Sequence, residues 1–167
     1  ISVIGPLARS ATDLRTSIDW LAGPDTIVAR GYKLDMPELG ERKLSDLRIG
    51  IWRSNEGFPV ATEVEERVNL VAAALRDAGA QINETARPAF AADDSHKIYQ
   101  HLLQATMASR MPDESYKSLV EHVKTLDAND DSDSARVFRG QVSSFRDWAA
   151  ANEARHKLRW AWHEYFS

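Results

Sequence analysis

The sequence predicts an α/β fold whose second half is mostly helical, and three observations carry that prediction. Leu47, Ile49 and Ile51 alternate with Arg48, Gly50 and Trp52, the period of a strand. Val64, Val68, Val71, Leu75 and Ala78 recur at helical spacing, and Gln81 to Glu84 follows as a second short strand. A strand, a helix and a strand in that order predict a parallel pair joined by a right-handed crossover. From Asp93 onward the periods are helical. Parallel sheet needs cover on both faces, and two or three strands cannot complete one, so further strands are expected outside these residues.

Each element has a local cause. Val3 and Ile4 are β-branched and suit a short buried strand, which Gly5-Pro6 turns. Ser10 at the N-cap and Asp13 three residues on form an acidic variant of the capping box, opening a helix whose Leu14, Ile18 and Leu21 share a face until Gly23-Pro24. Thr26 to Asp46 holds no sustained period and reads as a long surface connection across the sheet. Thr62 is the expected cap of the second helix, with Glu65 reciprocating, and Gly79 ends it.

In the second half, Asp93 or Asp94 is expected to cap a helix carrying Ile98, Leu102, Ala105 and Met107. Another runs from Asp113 to about Leu126, with Tyr116, Leu119, Val120 and Val123 on one side. Asp127 to Ser134 is a polar, acidic connection; it lacks the Gly turn and terminal Glu of a calcium loop, so a solvated link is preferred. Val137 to Phe166 reads as one long helix whose Trp148, Ala151, Leu158, Trp162 and Tyr165 form a stripe interrupted by Arg155. Trp160, Trp162, Tyr165 and Phe166 crowd its last turns and need something to pack on.

The run Ile4-Gly5-Pro6-Leu7-Ala8-Arg9-Ser10, with Asp13 and the closing Leu21-Ala22-Gly23-Pro24-Asp25, resembles a segment of the amidase signature family of serine hydrolases. The resemblance continues through Leu47 to Ile51, the helix before Gly79-Ala80 and the aromatic helix after Tyr99. It implies a fragment of an α/β/α mixed-sheet fold, with residues 1–92 supplying strands and helices of the sheet core and residues 93–167 a helical wall on the substrate side. One partial domain is expected. The resemblance also implies hydrolysis of a carboxamide to a carboxylate and ammonia or an amine by a Ser, cis-Ser, Lys triad, with no metal or organic cofactor. That triad lies upstream of the stretch where this chain begins, so the chain alone is expected to be inert. At the family's motif positions, Gly5, Pro6, Arg9 and Asp13 are read as structural, Arg9 and Asp13 as a charged pair locking the corner.

Composition bounds the remaining classes. At 43% hydrophobic, with five Trp and five Phe, the chain can pack a core, and its net charge of −4 gives no basis for nucleic-acid affinity. No apolar run reaches the roughly 20 residues of a membrane span and no charged-then-apolar leader precedes Ile1, so a cytoplasmic setting is expected. The absence of Cys removes disulfides, thiolate metal sites and Cys nucleophiles. Beginning on Ile, the chain reads as an excerpt of a longer polypeptide.

The chemistry-bearing residues are read blandly. Ser143-Ser144 is the only serine pair, flanked by Val142 and Phe145 inside the expected long helix, where amides already bond to carbonyls and cannot cradle an oxyanion. Lys33, Lys43, Lys97, Lys117, Lys124 and Lys157 lie in no apolar run that would hold an amine neutral. His156 and His163 sit two turns apart, too far to share an ion, and all five histidines are read as helix-surface groups. Tyr99, Leu102, Leu103 and Met107 are the candidate substrate-lining residues, with plain core packing the preferred reading. The expected partner is a small amide, with neither nucleic acid nor membrane, and exposed sheet edges and aromatics predict self-association. Two rivals remain: a tRNA-dependent amidotransferase amidase subunit, which shares the core, and a non-catalytic helical interaction module.

Overall fold

The computed structural model describes residues 4–37, 40–53 and 57–167. It divides into two compact units, Ile1–Arg42 and Lys43–Ser167. Of the expected first strand, Val3 lies outside the described residues, and Ile4 is exposed and extends into no ladder.

The first unit is built on helix α1, Ala11–Leu21. Ser10 caps it as expected, its Oγ accepting the Asp13 amide at 3.1 Å. The chain leaves through Ala22 and Gly23, whose φ of +150° suits a residue without a side chain. Asp25 then orders a short 3-10 turn at Val28–Arg30, its Oδ1 accepting from the amides of Ile27 and Val28. This unit buries no described residue, and Leu7, Trp20, Ile27 and Tyr32 are all exposed.

The second unit holds the core. Strand β1 is Arg48–Gly50 and β2 is Gln81–Asn83, paired in parallel with Ile49 opposite Ile82. Both are shorter than expected, although the Gln81 amide to Leu47 carbonyl and the Ile51 amide to Asn83 carbonyl extend the pairing at each end. Helix α2, Thr62–Asp77, connects them and ends where Gly79 takes φ +94°, letting the Ala80 amide reach back to the Leu75 carbonyl. The expected Thr62 cap is not formed. Ala61 holds the cap position and Thr62 is already helical. The apolar stripe is also rotated: Val68, Ala72 and Leu75 turn inward, whereas Val64 and Val71 are exposed.

Four further helices follow: α3 (Ala92–Ala108), α4 (Asp113–Thr125), α5 (Asp133–Gln141) and α6 (Phe145–Phe166). Asp93 and Asp94 fall in the first turn of α3 rather than at its cap, which is Ala91; they favour the positive helix end by charge, and Asp93 pairs with Lys97. Helix α3 is the central element, packed on α5 and α6. Gly140 makes the closest approach: a Cβ there would lie 2.9 Å from the Gln104 Cβ, so only glycine lets α5 seat against α3.

The single helix expected over residues 137–166 is two helices. Val142 leaves helical geometry and Ser144 caps α6, accepting the Asp147 amide at 3.1 Å and donating to the Asp147 carboxylate at 2.5 Å. Periodicity continues across the break because both helices face the same core, which is why the pattern hides it. The terminal aromatics find their partners within this unit. Trp162 packs 6.3 Å from Trp52 beyond β1 and 5.6 Å from Phe90, ring centre to ring centre, while Trp160 and Phe166 remain exposed. Arg87 lies over the Trp52 ring and donates to the Ile51 and Ala86 carbonyls, tying the ends of the two strands together.

Candidate functional site

The break between α5 and α6 places side-chain chemistry at one point on α3. His101, half-buried on α3, has its Nε2 2.9 Å from the Ser143 Oγ in the break. The Ser143 hydroxyl is also within hydrogen-bond reach of the Ser144 carbonyl, at 3.2 Å. One helical turn along, Gln141 Nε2 donates to Gln104 Oε1 at 3.0 Å. Both links follow Gly140, whose own closest neighbours on α3 are Gln104 and the His101 carbonyl. His101 is therefore not the helix-surface histidine expected, and Ser143 and Ser144 are not helix-interior residues. Both corrections have one cause: the three-residue break lets Ser143 face α3.

Beside this cluster is an open cavity of about 320 Å³, lined by Ser109 and Met111 at the α3–α4 turn, Asp113 and Tyr116 on α4, and Gln141 and Ser143. Ala105 and Ala108 form its α3 wall. Asp147, across the Ser144 cap, is held below its ordinary carboxylate value, first by the Ser144 hydroxyl and more weakly by the charges of His101 and Arg146.

The four residues expected to line a substrate pocket are separated by α3. Leu102 is 3% exposed and belongs to the core, whereas Tyr99 and Met107 are exposed on the outer face and Leu103 is half-buried. Residues 99, 103 and 107 share that face at four-residue steps, and residue 102 points a turn-third away from Leu103. In the first unit, Gly5, Arg9 and Asp13 are exposed and Pro6 is half-buried. Among the described residues Arg9 and Asp13 form no ion pair; the Asp13 amide, not its carboxylate, makes the corner contact. Two exposed charges held in water gain little by pairing.

The remaining titratable groups are accounted for by packing. His96 stands edge-on to Phe58 and His122 to Phe138, and among the described residues no three His, Asp or Glu side chains gather as a metal site. The acidic connection is closed from within: Arg139 on α5 donates to the Asp127 and Asp130 carbonyls, and Ser132 caps α5. No helix is long and apolar enough to cross a membrane among the described residues. All six lysines are exposed. The signal that sequence reading missed was Ser144 with Asp147, the same cap spacing as Ser10 with Asp13 and a helix start in its own right.

Comparison with known proteins places this chain. The model of the Amidase family matches residues 1–165. The chain is also similar to a subunit of the mitochondrial glutamyl-tRNA(Gln) amidotransferase of Drosophila pseudoobscura pseudoobscura, 35% identical over 116 residues, covering 66% of this chain and 22% of that relative. It thus spans about a fifth of the length of the curated relative it matches. No solved structure matches the chain. With a family match that runs from the Gly5-Pro6 corner to the aromatic end of α6, the chain belongs to the amidase family.

Proposed function

We propose that these residues are a segment of an enzyme that hydrolyses a carboxamide to a carboxylate and ammonia or an amine, with its Ser, cis-Ser, Lys machinery outside residues 1–167. The observation that carries the reading is the family match over residues 1–165. The side chains support it: no lysine here is desolvated enough to serve as a neutral base, and both serines of the only pair already hold structural hydrogen bonds. Within that enzyme the outer face of α3, with Tyr99, Leu103 and Met107, faces the substrate side, and the segment needs no cofactor.

The test compares ammonia release from a panel of simple amides by the 167-residue chain and by the full-length enzyme. Turnover by the full-length enzyme with none from the chain is the expected result. Turnover by the chain itself overturns the placement of the machinery, and none from either overturns the amidase reading for this panel.

A second reading is favoured by the name of that relative: the parent protein is the amidase subunit of a glutamyl-tRNA(Gln) amidotransferase. The two separate on one measurement. An amidotransferase subunit releases ammonia faster from glutamine when its companion subunits and glutamyl-tRNA are added, whereas a stand-alone amidase is indifferent to both.

A further inference from the structure

We draw no further inference here: the strongest candidate, the open cavity of about 380 Å³ at the β1–β2 pair where Arg48, Gln81, Asn83 and Tyr165 meet, carries nothing because nothing in the structure shows what covers it, a ligand or further polypeptide.

Discussion

His101 on α3 and Ser143 in the break before α6 are joined by a hydrogen bond of 2.9 Å, the contact that pins the start of the last helix to the centre of the core. The link is partly buried and spans 42 residues of sequence, so it reports directly on whether α5 and α6 are seated. A double-mutant cycle with His101→Ala and Ser143→Ala is expected to give a coupling of about 1 kcal/mol in chemical denaturation. Additive single losses would show that the two groups meet without stabilising each other.

Gly140 is the closest point of the α3–α5 seam. Alanine is the better helix former by about 1 kcal/mol, yet its Cβ would lie 2.9 Å from Gln104 Cβ. The steric cost wins, because both atoms are next to backbone and cannot swing away. Gly140→Ala is expected to destabilise the chain by about 1–3 kcal/mol. A raised melting temperature would mean that the seam is looser than its geometry.

Ser144 closes the N-terminus of α6 in both directions with Asp147. Ser144→Ala is expected to cost about 1 kcal/mol, and Ser144→Gly only a few tenths. Equal losses for the two variants would assign the effect to backbone conformation rather than to the cap.

Glu84, just beyond β2, accepts from Arg53 and Arg76, each at 2.9 Å. The Arg53 hydrogen bond and charge, then Arg76, hold its carboxyl below the ordinary value of 4.5. A depressed folded-state value means the stabilisation is present above the unfolded-state value and is lost as pH falls through the lower one. Thermal scans of the chain and its Glu84→Gln variant should therefore differ at neutral pH, begin to approach each other as pH falls below about 4.5, and meet only below the lowered folded-state value. A gap independent of pH would remove the carboxylate from the account.

On the outer face of α3, Tyr99 and Met107 are the exposed pair of the expected substrate wall. Tyr99→Ala and Met107→Ala in the full-length enzyme are expected to change the ratio of rates on small and bulky amides, with little effect on folding because neither is buried. An unchanged ratio sinks the substrate role. Leu102→Ala is the contrast, costing about 2–5 kcal/mol of stability as a core deletion.

The family, the strand–helix–strand unit and the Ser10 cap were legible in the residues because each rests on local chemistry: a motif, an alternation of side chains, a hydroxyl three residues before an amide. Gly79 ended α2 for the same reason. The inward face of α2, the position of the α5–α6 break and the meeting of His101 with Ser143 were not legible. They depend on where α3 lies, and one sequence carries no record of which of two equally apolar faces will find a neighbour. Val71 and Val68 are alike in the sequence, but only Val68 is turned toward cover. Leu102 and Met107 sit on one helix and both read as core; packing buried the first and left the second in solvent. Local propensity set the elements and their caps, whereas the long-range contacts of α3 chose which faces, and so which functional groups, were brought together.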